Sequence, residues 1–95
     1  MKFNREVLEF DWDKGNRDKN KTKHHVNDKE AEEVFFDRNK KTFKDRLHSG
    51  NEERFRVVGR TEKKRLLFVV FTKRNKKIRI ISARDVNKKE RCLYK

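Results

Sequence analysis

The first apolar residues of the chain alternate with polar ones. Leu8, Phe10 and Trp12 are separated by Glu9 and Asp11. A period of two is expected for a strand that has one face on a hydrophobic core and the other in water. The pattern therefore predicts a first strand near the start of the sequence.

The next segment changes character twice. Residues 13–25 contain no apolar side chain, so they predict a loop or a weakly anchored helix, because no helical face there could pack by hydrophobic burial. Asn27 then precedes Glu30 by three positions, which is the spacing of a capping box at a helix start. Apolar residues at helical spacing follow and predict a short helix that ends near Asp37.

The second half of the chain predicts a meander of strands. Strand-like patterns separated by polar turns occupy residues 42–45, 53–60, 66–71 and 78–84. The third of these is continuously apolar, as expected for a central strand that is covered on both faces. Asn87 and Glu90 repeat the capping spacing and predict a short C-terminal helix.

The order of these elements predicts an α+β fold, with a small antiparallel sheet, N-terminal helices and a short C-terminal helix. Ninety-five residues allow one small domain, which we expect to cover residues 1–95. Charged residues make up 47% of the chain. Leu, Ile, Val and Phe nevertheless account for 24 of the 95 residues, or about 25%. This fraction is above the roughly 20% below which a highly charged chain stays disordered.

Charge divides the chain into two unequal parts. Residues 1–37 carry a net charge of −2 and residues 38–95 a net charge of +15. A field of this kind attracts polyanions, and nucleic acid is the commonest such partner. A self-repelling surface without a ligand is the alternative. An anionic membrane surface is disfavoured, because no amphipathic helix with a wide apolar face accompanies the basic residues.

The sequence has no feature of a secreted or membrane-spanning protein. Cys92 is the single cysteine, so an internal disulfide is excluded. No apolar run has the length of a signal peptide or of a membrane span. We therefore expect a cytoplasmic protein.

Eight short motifs follow one another along the chain. They are Phe10 to Asp13, Lys19 to Val26, Glu30 to Asp37, His48 to Phe55, Gly59 with Arg60, Arg65 to Leu67, Ile78 to Arg84 and Glu90 to Tyr94. In this order they resemble the BrnT-type toxins of bacterial type II toxin–antitoxin modules. The run from Ile78 to Arg84 is the most distinctive of the eight.

The resemblance implies a RelE-like ribonuclease that cleaves RNA without a metal ion and so arrests translation. It also implies a neutralising antitoxin of the BrnA type, and promoter DNA bound only through the toxin–antitoxin complex. Charge alone leaves two alternatives open. One is a non-catalytic nucleic-acid-binding module, and the other is a decayed toxin that retains only antitoxin binding.

Arginine suits one part of metal-independent RNA cleavage. The reaction activates a 2′-hydroxyl, neutralises charge on the phosphoryl oxygens and protonates the leaving 5′-oxygen. Arg79 and Arg84 are the candidates for the second task, because a guanidinium can donate two parallel hydrogen bonds to a phosphate. The alternative is that they pair with Glu90, Asp85 or another acid.

Strict alternation along residues 78–84 predicts which side chains share a face of the sheet. It places Arg79 with Ile81 and Ala83 on one face, and Arg84 on the opposite face. Arg79 is therefore expected to lie between apolar neighbours.

Proton transfer has several candidates. His24 and His48 titrate near neutrality by residue type, and Lys23 is a phosphate contact or, if desolvated, a base. Each is equally explained as a solvated surface residue. His25 and Cys92 add no paired spacing typical of a zinc site, so neither a metal nor another cofactor is predicted.

The remaining candidates would bind RNA without taking part in the chemistry. Arg54, Arg56 and Arg60 share the basic face of the strand predicted over residues 53–60. Tyr94 is a candidate for stacking on a base, with a place at the edge of the core as its alternative.

Overall fold

Five strands form one mixed sheet. The computed structural model describes residues 9–12, 23–45, 52–74 and 76–94. The strands are β1 (Glu9–Phe10), β2 (Lys41–Asp45), β3 (Arg54–Arg60), β4 (Leu66–Arg74) and β5 (Lys77–Asp85). They lie in the order β1-β5-β4-β3-β2. Neighbours from β2 to β5 are antiparallel, as the meander predicted, whereas β1 is parallel to β5.

The expected fold, a small antiparallel RelE-like sheet with N-terminal helices and a C-terminal helix, is wrong. The sheet is mixed, because β1 lies at the edge beside the last strand of the meander and runs parallel to it. A period of two shows that a segment is a strand but carries no information about its partner. The partner of β1 is distant in sequence and is chosen by packing.

Aromatic packing accounts for the position of β1. The Phe10 ring lies edge-on to Phe35 and Phe36, with centroid distances of 5.4 Å and 6.3 Å. The indole Nε1 of Trp12 donates a 2.7 Å hydrogen bond to Glu32. Strand β1 is therefore held against the helical layer as well as against β5.

The described residues contain one delimited α-helix, α1 (Asp28–Glu33), which continues as a 3₁₀ turn over Val34–Phe36. The predicted capping box is confirmed. The Glu30 amide donates to Asn27 Oδ1 at 2.8 Å, and the Asn27 amide donates to Glu30 Oε1 at 3.3 Å. Lys23 and His24 are also helical, while the rest of the weak segment before them lies outside the described residues.

The C-terminal segment is a 3₁₀ turn, Glu90–Tyr94, and not an α-helix. The predicted cap contacts are nevertheless present, because the Glu90 amide donates to Asn87 Oδ1 at 2.9 Å and the Asn87 amide donates to Glu90 Oε1 at 3.0 Å. Five residues after a cap are too few for a stable α-helix without an apolar face that packs.

The hydrophobic core lies between α1 with its 3₁₀ turn and one face of the sheet. It contains Val26, Ala31, Val34, Phe35, Val57, Leu67, Val69, Phe71, Ile78, Ile80 and Ala83. Phe35 meets Phe71 edge-on at 4.9 Å between ring centroids. The opposite face of the sheet, here called the outer face, is not covered by α1.

The pairing of β4 with β5 shifts by one residue in the middle of the two strands. Phe71 lies opposite Ile80, whereas its neighbour Val70 lies opposite Ser82. Ile81 is therefore an extra residue on β5, which is the two-against-one arrangement of a β-bulge. Beyond this bulge, the alternation of side chains along β5 is reversed.

The bulge places Arg79 and Arg84 on the same face of the sheet. Arg79 lies opposite Thr72, and Arg84 lies opposite Phe68. Thr72 and Phe68 are separated by an even number of positions on β4, so they share a face. The expectation that Arg79 and Arg84 lie on opposite faces is therefore wrong, because it assumed a regular β5.

Gly59 provides a test of the contact between β3 and the helical layer. A Cβ atom at this position would lie 2.8 Å from Val34 Cγ1 and 3.1 Å from the Val34 carbonyl oxygen. We expect Gly59→Ala to lower the free energy of unfolding by about 1 to 3 kcal/mol, because the core must shift to admit the methyl group. Urea denaturation monitored by circular dichroism measures this change.

A double variant isolates the clash. Val34→Ala removes the Cγ1 atom, so the loss of stability in Gly59→Ala with Val34→Ala should be smaller than the sum of the two single losses. Unchanged or higher stability of Gly59→Ala would contradict the packing described, since that is the usual result where the new methyl group has room.

Candidate functional site

The part of the outer face that carries four neighbouring arginines is here called the basic face. They are Arg54, Arg56, Arg79 and Arg84. Arg54 and Arg79 lie on either side of Thr72 in one row across β3, β4 and β5. Because sheet positions are held by main-chain hydrogen bonds, these arginines project from a rigid support.

Two of these guanidinium groups approach one aromatic ring. The Cζ atom of Arg84 lies 4.5 Å from the Phe68 ring centroid, and that of Arg56 lies 6.0 Å from it. Phe68 is 7% exposed. The ring attracts both cations through its quadrupole, so it holds two positive groups near each other.

Arg84 is fixed by Glu90. Its Nη1 and Nη2 atoms each donate a 2.7 Å hydrogen bond to a different oxygen of the Glu90 carboxylate. These hydrogen bonds lower the pKa of Glu90, against the opposing effect of burial, and raise the pKa of Arg84. The ion pair considered as the alternative for Arg84 is therefore present.

Arg79 forms an ion pair with the residue that directly follows β1. Its Nη2 atom lies 3.0 Å from Asp11 Oδ2, and the Arg79 side chain is 19% exposed. The Asp11 amide donates to the Ile78 carbonyl oxygen at 2.8 Å. The parallel placement of β1 thus brings Asp11 to Arg79, and the hydrogen bond from Arg79 lowers the pKa of Asp11.

Arg54 and Arg56 differ in their surroundings. Arg54 lies opposite Asp45 of β2, which is 6% exposed, so a cross-strand pair of opposite charges is available there. Arg56 makes no ion pair within the part of the chain that the structure describes, and its Nε atom is buried without a hydrogen-bond partner. Arg56 is therefore the basic-face cation with the greatest unmet demand for an anion.

Arg60 and Tyr94 are adjacent at one end of the outer face. The Arg60 Cζ atom lies 5.2 Å from the Tyr94 ring centroid. The Tyr94 hydroxyl donates a 2.5 Å hydrogen bond to Asp37, and burial together with this bond raises the pKa of Tyr94. Tyr94 is thus anchored to the helical layer, although its ring still borders an open pocket.

Lys23 and His24 do not join the basic face. The His24 carbonyl oxygen accepts a hydrogen bond from Arg65 Nη2 at 3.3 Å, which places its main chain beside Asp85 and the helical layer. Among the residues described, no contact links Lys23 or His24 to a basic-face arginine. His48 lies outside the described residues.

Arg65 is an organising residue to which the sequence patterns assigned no role. It donates to both oxygens of Asp85, at 2.7 Å and 2.9 Å, and to the His25 carbonyl oxygen at 2.8 Å. It also lies 3.3 Å from Glu30. The hydrogen bonds to Asp85 raise the pKa of Arg65 and lower that of Asp85. Its position in the motif Arg65 to Leu67 was the available signal.

The described ranges show neither a metal centre nor a membrane-spanning helix. They contain no group of three or more His, Cys, Asp or Glu side chains placed to hold a metal ion. Within the same ranges, every helix is too short or too polar to cross a bilayer.

Comparison with known proteins identifies the family. A family profile described as the ribonuclease toxin BrnT of type II toxin–antitoxin systems matches residues 12–90. The chain belongs to the BrnT family. The match runs from the end of the β1 segment to Glu90, so it includes every basic-face arginine and the carboxylate that holds Arg84. The search of curated proteins finds no match to this chain.

Membership confirms the resemblance seen in the sequence motifs. As a BrnT-family member, the protein is a ribonuclease toxin whose substrate is RNA and whose partner is an antitoxin protein. An outer face that carries several arginines is chemically suited to a polyanionic substrate.

The Arg84–Glu90 pair predicts a dependence of stability on pH. Because the folded state lowers the pKa of Glu90, the pair stabilises the BrnT fold above the unfolded pKa of this carboxyl, about 4.3. Its contribution is lost as the pH falls through the lower, folded pKa. We expect Glu90→Gln to cost about 1 to 2 kcal/mol at neutral pH, and this difference should shrink between about pH 5 and pH 3.

Urea denaturation at several pH values measures this dependence. Glu62→Gln is the matched control, because Glu62 is exposed in the turn between β3 and β4 and its side chain makes no ion pair within the described ranges. A Glu90→Gln deficit that stays constant across the pH range would contradict the role given to the ion pair.

Proposed function

We propose that this BrnT-family toxin, acting as a single domain over residues 1–95, cleaves RNA in the cytoplasm without a metal ion. Cleavage takes place on the basic face and arrests translation. An antitoxin similar to BrnA neutralises the toxin by covering this face. The toxin–antitoxin complex binds its own promoter DNA through the antitoxin.

The observation that carries this proposal is the approach of Arg56 and Arg84 to the same Phe68 ring. In the described structure, these two guanidinium groups have one carboxylate partner between them, Glu90. A phosphate bound here would supply the missing negative charge. Charge that develops on the phosphoryl oxygens during cleavage would be stabilised by donors already in place.

Arg79 and Arg54 extend this surface, because they lie on either side of Thr72 in the neighbouring strands. We assign Arg79 and Arg84 to stabilisation of the reacting phosphate. Binding of the RNA backbone is assigned to Arg54, Arg56 and Arg60. An ion pair to a carboxylate does not remove a guanidinium from such a role, because one group carries five N–H donors.

Proton transfer is assigned to His24, His48 or Lys23, the candidates from residue chemistry, although Lys23 and His24 make no contact with the basic-face arginines among the described residues. Substitution of each by Gln, with cleavage followed as a function of pH, distinguishes them. Substitution of the residue that transfers the proton should remove one limb of the pH profile of the cleavage rate. Tyr94 is assigned to base stacking rather than to proton transfer, since its hydroxyl is engaged by Asp37.

The test of this function is cleavage of RNA by the purified protein in EDTA. We expect Arg79→Gln and Arg84→Gln to lose about 100-fold or more of the cleavage rate, because each removes a donor to the developing charge, while RNA affinity falls only modestly. Lys29→Gln is the control with the same change in charge, since Lys29 is exposed on α1, which does not cover the outer face. RNA that stays intact in EDTA, together with normal growth of bacteria expressing the protein, would overturn the proposal.

A non-catalytic nucleic-acid-binding module is the second candidate. The ion pairs of Arg79 with Asp11 and of Arg84 with Glu90 favour it, because they also explain both arginines as structural. In that case Arg79→Gln should weaken RNA binding and reduce its salt slope by about one unit, with no cleavage to lose. A decayed toxin would instead bind its antitoxin without being toxic.

Charge also predicts how the antitoxin binds. An acidic antitoxin segment on the basic face should bind more weakly as salt rises. Arg56→Gln should flatten this dependence, whereas Lys29→Gln, on the exposed side of α1, should not. Isothermal titration calorimetry at low and high salt measures the affinity of each variant for the antitoxin. Affinity that is independent of salt would show that apolar burial, and not charge, dominates the contact.

A further inference from the structure

A pocket opens beside the end of the basic face and is here called the C-terminal pocket. Its volume is about 540 Å³, within the range typical of small-molecule sites. Three cations and three largely apolar groups line it, namely Arg60, Lys64, Leu66, Val86, Arg91 and Tyr94. The pocket thus joins the end of β3, the following turn, β4 and the C-terminal 3₁₀ turn.

The pocket carries an excess of positive charge. Arg60, Lys64 and Arg91 are all exposed, and none of them makes an ion pair within the described part of the chain. Asp85 is the carboxylate in the lining, but both of its oxygens already accept hydrogen bonds from Arg65. An anion entering the pocket would therefore meet cations whose charge is not locally neutralised.

The main cation of the pocket is already oriented. Arg60 Nη1 donates to the Lys64 carbonyl oxygen at 2.8 Å, and the guanidinium lies over the Tyr94 ring. The Lys64 backbone is itself fixed, with its amide 2.9 Å from the Thr61 carbonyl oxygen. A guanidinium held in this way loses little freedom when it binds a ligand, and its other N–H groups remain as donors.

The other part of the lining suits the body of a nucleotide. Leu66 and Val86 both line the pocket, and a hydrogen bond from the Val86 amide to the Leu66 carbonyl oxygen holds their main chains side by side. The Tyr94 ring stands beside them. A flat apolar surface next to cations matches a base or ribose with an attached phosphate.

The pocket lies along the line of the basic face. Leu66 is two positions beyond Phe68 on β4, a distance of about 7 Å, and it shares the outer face with the ring that Arg56 and Arg84 approach. Arg91 follows Glu90, the partner of Arg84, directly in sequence. An RNA chain with one phosphate at Arg84 would therefore reach the pocket with its next nucleotide.

We propose that the C-terminal pocket binds the nucleotide next to the scissile phosphate, with its phosphate on Arg60, Lys64 and Arg91 and its base or ribose against Leu66, Val86 and Tyr94. This inference rests on the proposed function for the identity of the RNA substrate. It makes the C-terminal 3₁₀ turn part of the RNA site.

Binding of an RNA analogue that cannot be cleaved tests the pocket separately from catalysis. The probe is a fluorescent 2′-O-methyl hexaribonucleotide, and its affinity is measured by anisotropy in EDTA over a range of salt concentrations. Arg91→Gln should weaken binding about three- to tenfold and reduce the salt slope by about 0.7. Lys88→Gln is the matched control, because Lys88 is exposed in the same segment and does not line the pocket.

A second measurement locates the ligand. Adenosine monophosphate added to protein with labelled methyl groups should shift the signals of Leu66 and Val86 but not that of the core residue Val57. Equal affinities and slopes for Arg91→Gln and Lys88→Gln would overturn the pocket proposal. Displacement of the probe by oligo-glutamate, with no methyl shift from the nucleotide, would also overturn it and assign the pocket to an acidic peptide.

These results separate the two proposals. Normal cleavage of RNA by Arg91→Gln, with binding equal to that of Lys88→Gln, overturns the pocket and leaves the ribonuclease proposal intact. Binding that depends on Arg91 in a protein that cannot cleave RNA supports the pocket and overturns metal-independent cleavage.

Discussion

The one-residue shift between β4 and β5 is the constraint on which the rest of the site depends. Without the extra residue Ile81, the side chains of β5 would alternate regularly. Ile80 would then lie on the core face and Ala83 on the outer face. With it, both residues remain buried while Arg79 and Arg84 emerge on the same side. A local irregularity in pairing therefore reconciles a continuous core with a continuous basic face.

The carboxylates that hold these arginines come from opposite ends of the chain. Asp11 arrives with the parallel strand β1, and Glu90 arrives with the C-terminal turn. Each pairing restricts a long side chain, and the donors are consequently in place before an anion binds. Arg56 is treated differently, since it shares the Phe68 ring with Arg84 and has no carboxylate of its own in the described structure. The resulting local excess of positive charge lies where a phosphate would fit.

Local patterns predicted well where the physical cause is local. The capping box at Asn27 and Glu30 depends on residues three positions apart, and the strands of the meander follow from alternation and from continuous apolar runs. Alternation likewise predicted that Arg54 and Arg56 share one face of β3. What could not be predicted was the bulge at Ile81, because extra residues in a ladder are determined by the partner strand.

By itself, the sequence determined the helix start, the positions of β2 to β5, the concentration of charge in the second half and, through its motifs, membership of the BrnT family. Only the tertiary structure decided that β1 joins the sheet in parallel, that Arg79 and Arg84 share a face, and that Arg65 connects α1 to β5. The reason is physical. Periodicity and composition report on neighbours along the chain, whereas register, strand direction and ion pairing are settled by residues that meet only when the core has formed.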